Sequence, residues 1–228
     1  CMGHLRQLQI AWYTYAQDHD GFIVCGSPIY CGEPHGRPWL IDGNSLSAHS
    51  QTQTDAMMRT GALASYVGDV GVYRCPSRYE VPWVRDRPEI PPFWRWISTY
   101  GIVCSMNCMA PSDRESHELQ FTEYHGPSKI RAYITTLSQL HPPGAAQRMV
   151  FLDVGCPAPP FDFSADWQVT GLGPQRERVW TYPGHGPPIH HSKGTCVSFA
   201  DGSVRYWKWK DPRTITYSQA WLDYYQGD

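Results

Sequence analysis

Apolar side chains near the start of the chain recur at steps of three and four residues. Leu5, Leu8, Trp12 and Tyr15 therefore fall on one face of a helix with 3.6 residues per turn. This pattern predicts an amphipathic helix from residue 2 to about residue 18. Gly21 is a natural stop, because glycine adopts the left-handed conformation that commonly ends a helix.

Alternating apolar and polar positions near the other end of the chain predict a β-hairpin. Residues 197–200 and 203–209 flank Asp201-Gly202, a dipeptide typical of two-residue hairpin turns. In that register four side chains share the buried face: Val197, Phe199, Val204 and Tyr206. Trp207 and Trp209 are expected on the opposite face.

Shorter apolar runs predict the remaining elements. Strands are expected at 22–24, 39–41, 72–74, 98–103 and 149–153, and a short helix at 54–66. Residues 79–96 and 155–190 are rich in Gly and Pro and are expected to form long irregular segments. One N-terminal α-helix packed on an antiparallel β-sheet with long Gly/Pro-rich loops is an α+β fold.

Composition and charge narrow the classes of function. The 228 residues include 20 Gly, 20 Pro, 10 Trp and 14 Tyr, which indicates a loop-rich fold held together mainly by buried aromatic rings. The formal net charge is only -2, so no strong field favours nucleic acid or an anionic membrane surface. Nucleic acid is therefore not an expected partner.

The cysteines favour disulfide bonds. Eight are present and no Cys-x-x-Cys pair occurs, so the spacing of a zinc ribbon is missing. An even number scattered through such a chain is typical of proteins in an oxidising compartment. Sequence does not determine the pairing, but Gly26, Pro28 and Gly32 would suit a tight loop between Cys25 and Cys31.

Five blocks of sequence, in the expected order, resemble prepilin-type proteins, the family of type IV pilins and type II secretion pseudopilins. The first blocks are Cys1-Met-Gly-His-Leu-Arg-Gln-Leu with Asp18-His-Asp-Gly, and Gly61-Ala-Leu-Ala-Ser-Tyr-Val-Gly with Val72-Tyr-Arg-Cys-Pro. The later blocks are Ser98-Thr-Tyr-Gly, Met149-Val-Phe-Leu-Asp, and a C-terminal signature of His191, nine residues and Asp201-Gly202.

The resemblance implies a pilin-like fold. Residues 1–20 would be the C-terminal half of the spine helix, and residues 21–228 the globular head. Family members carry an apolar segment of ~20 residues ahead of this region, long enough to span the inner membrane. The resemblance thus implies an extracytoplasmic head anchored to the inner membrane, which assembles with other pilin or pseudopilin subunits and performs no catalysis. No cofactor is required.

His191 and Asp201 are the first candidate metal ligands, because imidazole and carboxylate groups bind zinc and other transition metals. The structural alternative is that Asp201 occupies the turn and His191 packs on it or hydrogen-bonds to it across the hairpin. Some pseudopilins hold Ca²⁺ in a C-terminal loop, and the resemblance makes calcium a second candidate ion. The carboxylates available for it are Asp162, Asp166, Asp201 and Asp211.

Three tryptophans in the Pro-rich segment support an alternative function. Trp83, Trp94 and Trp96 either fill the core or form an exposed platform for a glycan or a neighbouring subunit. The alternative is a carbohydrate-binding surface protein on a pilin scaffold. A third hypothesis is a metal-dependent hydrolase that uses His191 and Asp201. Because no Gly-x-Ser-x-Gly or similar local motif occurs, an enzyme is not expected.

Overall fold

A computed structural model describes residues 1–27, 37–41, 50–77, 98–103, 106–107, 134–141, 144–153, 166–167, 189 and 191–226. The helices are α1 (Met2–Asp18), α2 (Gln51–Met58), α3 (Ala64–Val67) and α4 (Pro212–Gln226), with 3₁₀ turns at Val70–Tyr73, Leu137–Leu140 and Ala145–Gln147. The strands are β1 (Tyr100–Val103), β2 (Met149–Asp153), β3 (Asp166–Trp167), β4 (Gly194–Phe199) and β5 (Val204–Lys208).

The strands form one sheet in the order β3-β1-β2-β4-β5. Strands β1, β2, β4 and β5 pair antiparallel, and the short β3 runs parallel to β1 at the edge. An N-terminal helix with a largely antiparallel sheet confirms the predicted α+β class. Strand β2 coincides with the predicted strand, while β1 begins two residues later than expected.

Helix α1 packs on the sheet through the predicted face. Leu5, Leu8, Trp12 and Tyr15 are all buried, and the helix contacts β2, β4 and β5. Burial of each such side chain contributes about 1.5–3 kcal/mol, so this face fixes the helix on the sheet. Gly21 ends the helix as predicted, with φ of 82° and an amide that donates to the carbonyl of Ala16 at 2.8 Å.

Aromatic rings fill the core between the helix and the sheet. Trp12, Trp39, Tyr73 and Phe151 are fully buried. The Trp39 ring lies 5.7 Å from that of Tyr73 and 5.6 Å from that of Phe151, in tilted and edge-on arrangements. These geometries are favoured between aromatic rings. No helix in the described part of the chain combines the length and the apolar character that crossing a membrane requires.

The hairpin exists, but its predicted register is wrong by one residue. Phe199 closes the loop against Ser203 through an N–H···O bond of 2.9 Å, so the turn has three residues and ends at Gly202 with φ of 85°. Val204 consequently faces Ser198. A slip of one residue moves every side chain of β5 to the other face. Arg205 now shares a face with Phe199, and its guanidinium lies 4.8 Å from that ring.

Several shorter predictions are also corrected. Residues 72–73 belong to a 3₁₀ turn, with Arg74 as its C-cap, rather than to a strand, because the Asp69 carboxylate accepts from the amide of Gly71 at 2.9 Å and starts that turn. Segment 22–24 forms a single isolated bridge at Phe22 instead of a strand, and segment 39–41 forms no strand, because the neighbouring bridge lies at Pro38. The predicted helix at 54–66 is divided into α2 and α3. Gly61 lies between them, where a Cβ atom would collide with the backbone of Leu40.

Helix α4 was not predicted, and β3 lies within a segment that was expected to be a loop. The irregular segment predicted at 79–96 lies outside the described residues, as does most of 155–190.

Candidate functional site

Four side chains of metal-binding type converge at one end of the sheet. The donor atoms of Cys1, Cys75, Asp153 and His191 all lie within 4.8 Å of one another. His191 Nε2 donates to Asp153 Oδ2 at 2.9 Å and lies 3.5 Å from Cys75 Sγ. The two cysteines are joined by a disulfide bond. In the described part of the chain, this is the one group of three or more such residues at this spacing.

Different elements bring the four residues together. Cys1 precedes α1, and Cys75 follows the 3₁₀ turn at Val70–Tyr73. Asp153 is the last residue of β2, and His191 lies just before β4. The disulfide closes a separation of 74 residues, which ties the start of α1 to the end of the 3₁₀ turn.

A strained turn places His191. Ser192 and Lys193 both adopt left-handed conformations, with φ of 50° and 65°, and the Lys193 amide donates to the carbonyl of Ile189 at 3.0 Å. The Tyr206 hydroxyl donates to the carbonyls of His191 and Ser192 at 2.8 and 3.0 Å. Strand β5 therefore holds the turn that carries the imidazole.

The absence of a side chain at residue 194 allows the Tyr206 hydroxyl to reach the carbonyls of the His191 turn. A Cβ atom on Gly194 would lie 2.7 Å from the Tyr206 hydroxyl oxygen, well inside van der Waals contact. Only glycine lets the tyrosine approach the turn this closely.

Hydrogen bonds on both sides fix Cys75. Its amide donates to Thr99 Oγ1 at 2.5 Å. The preceding residue, Arg74, forms an ion pair with Asp55 at 2.5 Å, and its carbonyl accepts from His4 Nδ1 at 2.9 Å. Residues 74 and 75 are thus linked to the residue that precedes β1, to α2 and to α1.

Asp153 gives the site its charge. The residue is fully buried, and a buried carboxylate is costly unless it is hydrogen-bonded or paired with a cation. Burial first, and then the Asp153 carboxylate, raise the pKa of the Tyr100 phenol and of the Cys196 thiol. Burial accounts for the larger part of both shifts, and the nearby Asp153 carboxylate adds to it.

The remaining cysteines agree in part with the disulfide prediction. Cys25 is disulfide-bonded, whereas Cys196 is a free, buried thiol. Cys31, the predicted partner of Cys25, lies outside the described residues.

The predicted pairing of His191 with Asp201 is wrong. Asp201 lies at the exposed tip of the hairpin, and Oδ1 accepts from the amide and hydroxyl of Ser203 at 2.9 and 2.6 Å. The six residues of β4 separate it from the His191 turn, a distance of roughly 20 Å at the rise of an extended strand. The two residues therefore neither bind one ion nor hydrogen-bond across the hairpin.

The other predicted site residues are dispersed or undescribed. Asp166 lies in β3, where its backbone pairs with Ile102. Asp211 forms an exposed ion pair with Arg213 at 2.7 Å. The rest lie outside the described residues: Asp162, Trp83, Trp94 and Trp96.

Sequence reasoning found His191 but missed its three companions. Cys75 and His191 are 116 residues apart, and Asp153 and His191 are 38 residues apart. No motif of short, regular spacing therefore predicts the cluster. The signal present in the sequence was an acidic residue at the end of the predicted strand 149–153, because side chains from other elements can meet a strand at its end.

The chain matches none of the protein-family models, curated proteins or solved structures with which it was compared.

Proposed function

We propose that this chain is the head of a pilin-like structural subunit, which acts by assembling with other pilin or pseudopilin subunits outside the cytoplasm. The supporting observation is the two-sided character of α1. One face is buried on the sheet, while Met2, Ile10 and Tyr13 lie beside that face and remain 47%, 60% and 43% exposed.

The three exposed apolar side chains form a stripe. At 100° per residue, Met2, Tyr13 and Ile10 fall within an arc of about 80° next to the buried face. Arg6 and Gln17 share that arc. A narrow apolar stripe with polar neighbours suits packing of one helix against another. The occupant that we propose is the corresponding helix of another subunit.

Two further observations support the proposal. The five sequence blocks that resemble prepilin-type proteins include α1, β2 and the β4–β5 hairpin. The Cys1–Cys75 bond and the disulfide at Cys25 suit a protein exported to an oxidising compartment.

The experiment places a photo-crosslinking amino acid at residue 10 or 13 of the full gene product in its native cells. Adducts with the mass of two subunits are expected from both positions, and none from residue 7, which is exposed but lies away from the stripe. An Ile10→Glu/Tyr13→Glu variant should lose filament assembly, whereas Gln7→Glu should retain it. Purified heads of both variants should melt like the wild type, because these side chains are exposed.

Two results would contradict the proposal. One is normal assembly of the Ile10→Glu/Tyr13→Glu variant. The other is crosslinking from residue 7 that equals crosslinking from residues 10 and 13, because the stripe would then not be the contact.

A further inference from the structure

We propose that the cluster of Cys1, Cys75, Asp153 and His191 is a redox-gated zinc site. The dithiol form would bind one Zn²⁺ through two thiolates, one imidazole and one carboxylate, and the disulfide form would not. The proposal uses none of the side chains of the exposed stripe of α1, so its test is separate from the assembly test, although the Cys1–Cys75 bond is also cited in support of an oxidising compartment.

The ligand set favours zinc over other common ions. Zinc takes four ligands in a tetrahedron and is typically bound by Cys sulfur, His nitrogen and carboxylate oxygen. Two soft thiolates exclude Ca²⁺ and Mg²⁺, which prefer oxygen alone. This site therefore differs in both residues and ion from a calcium loop near Asp201.

The geometry requires only small movements. Donors bound to one zinc ion at 2.0–2.3 Å lie roughly 3.3–3.8 Å apart. The Cys75 Sγ–His191 Nε2 distance of 3.5 Å already fits, and the His191 Nε2–Asp153 Oδ2 distance of 2.9 Å needs a slight opening. No pair of donors is separated by more than 4.8 Å. The main change is the separation of the two sulfurs once their bond is broken.

The atom that zinc needs on the imidazole is the one that faces the cluster. Nε2 lies close to both Asp153 and Cys75. To bind Zn²⁺, Nε2 must offer the lone pair of a neutral imidazole. The proton on Nε2, which is now shared with Asp153, is therefore lost to solvent, and the proton of the neutral ring is then on Nδ1. Tyr206 and the left-handed turn fix the backbone of His191 beforehand, which reduces the ordering that metal binding would otherwise require.

The redox step determines the number of ligands. A phosphine reductant attacks the Cys1–Cys75 bond and takes an oxygen atom from water to become a phosphine oxide. The two protons of that water are transferred to the two sulfurs, which yields two thiols. Zn²⁺ then displaces both thiol protons to solvent and binds the thiolates. With the disulfide intact, only Asp153 and His191 remain as strong donors, and two ligands do not make a closed structural site.

The site is accessible from one side. Asp153 is fully buried, but the His191 side chain is 18% exposed and Cys1 is partly exposed. These two partly exposed residues mark the side from which a reductant and a metal ion would approach the cluster. A Zn²⁺ ion with two thiolates and one carboxylate carries a net charge of -1, whereas the same three anions without the ion would carry a charge of -3.

The test titrates the full chain with Co²⁺ and then Zn²⁺, with and without tris(2-carboxyethyl)phosphine and in the absence of oxygen. The reduced protein should show the intense visible bands of tetrahedral cobalt at one equivalent, and Zn²⁺ should displace them. The oxidised protein should bind at least ~100-fold more weakly. His191→Gln and Asp153→Asn should each weaken binding by more than ~100-fold, because changes to groups that only support a ligand already cost 10–100-fold.

Two control variants separate this site from the other candidate ligands. Cys196→Ser removes a buried thiol outside the cluster, and Asp201→Asn alters the carboxylate at the hairpin tip. Neither should change the affinity for cobalt or zinc. Equal affinity of His191→Gln and wild type would overturn the proposal, because the imidazole would then not be a ligand.

A second measurement covers the case in which a variant fails to fold. Reduced wild-type protein is alkylated with and without Zn²⁺, and the modified cysteines are identified by mass spectrometry. Zinc should slow the modification of Cys1 and Cys75 and leave the other cysteines unaffected. Equal protection of all cysteines, or no protection of this pair, would overturn the proposal.

Discussion

At the scale of single residues, Tyr206 shows how an exposed side chain can fix the position of a partly buried one. Its hydroxyl bridges the carbonyls of His191 and Ser192, although its ring is 43% exposed. The left-handed conformations of Ser192 and Lys193 are unfavourable for residues with a Cβ atom. The tyrosine therefore stabilises a turn that its own sequence does not favour.

Tyr206→Phe should lower the free energy of unfolding by about 0.5–1.5 kcal/mol, because it removes these hydrogen bonds and leaves the ring in place. Tyr13→Phe is a matched control, since Tyr13 has the same exposure and no hydrogen bond is described for its hydroxyl. Its effect should stay within about 0.5 kcal/mol. Urea denaturation of both variants measures the difference, and equal effects would show that the bridge does not hold the turn.

Asp201 offers a pH-dependent test at the hairpin tip. The Ser203 hydroxyl, the Ser203 amide and the Arg205 guanidinium lower the pKa of the Asp201 carboxyl. Because the pKa is lower in the folded state, the contribution to stability is present above the ordinary pKa of about 3.9 and is lost as the pH falls through the folded value.

NMR titration should place the midpoint of Asp201 below about 3.9 in the wild type. Ser203→Ala should raise that midpoint, but only in part, because the backbone amide still donates to the carboxylate. Ser65→Ala, an exposed serine in α3, should leave it unchanged. A midpoint that does not move in Ser203→Ala would mean that the hydroxyl is not the main cause.

At the scale of elements, one buried polar contact fixes the position of α1 on the sheet. Ser198 Oγ donates to Gln9 Oε1 at 2.7 Å and accepts from the amide of Phe151 at 3.1 Å. Gln9 is buried within the otherwise apolar face of the helix. One hydroxyl therefore connects the helix with β2 and β4.

Ser198→Ala should lower the free energy of unfolding by about 1–3 kcal/mol, because it leaves the buried Gln9 oxygen and the Phe151 amide without their partner. Adding Gln9→Met should recover part of the loss, since the buried amide is then removed as well. Ser65→Ala again provides the control on the surface. Urea denaturation with an unchanged m-value checks the prediction, and a double variant less stable than Ser198→Ala would contradict it.

The elements that sequence predicted correctly are those in which periodicity and end signals agree. The buried apolar face of α1 and the stop signal at Gly21 define the helix, and the apolar run of β2 defines the strand. The hairpin was found but paired wrongly, because Asp201-Gly202 is compatible with two- and three-residue loops. The long-range contact of Gly61 with the Leu40 backbone broke the helix predicted at 54–66. Sequence patterns carry no record of such tertiary contacts.

At the scale of the whole molecule, the cluster of Cys1, Cys75, Asp153 and His191 depends on topology. Its members become neighbours only after α1 docks on the sheet and after β2 and β4 pair side by side. Single-sequence reasoning could identify the residue types and even His191, but it could not identify this set, since the spacings are long and irregular. The same long spacing makes the disulfide an effective constraint on the unfolded chain.

Removal of the Cys1–Cys75 bond should therefore destabilise the whole domain. The bond spans 74 residues, and restricting so long a loop in the unfolded state stabilises a protein by about 2–4 kcal/mol. A Cys1→Ser/Cys75→Ser variant, studied with a chelator present, should show that loss in urea denaturation, whereas Cys196→Ser should show a smaller one. If the double variant were as stable as the wild type, the noncovalent contacts of α1 would be sufficient to hold it on the sheet. The covalent bond would then matter for redox chemistry and not for the fold.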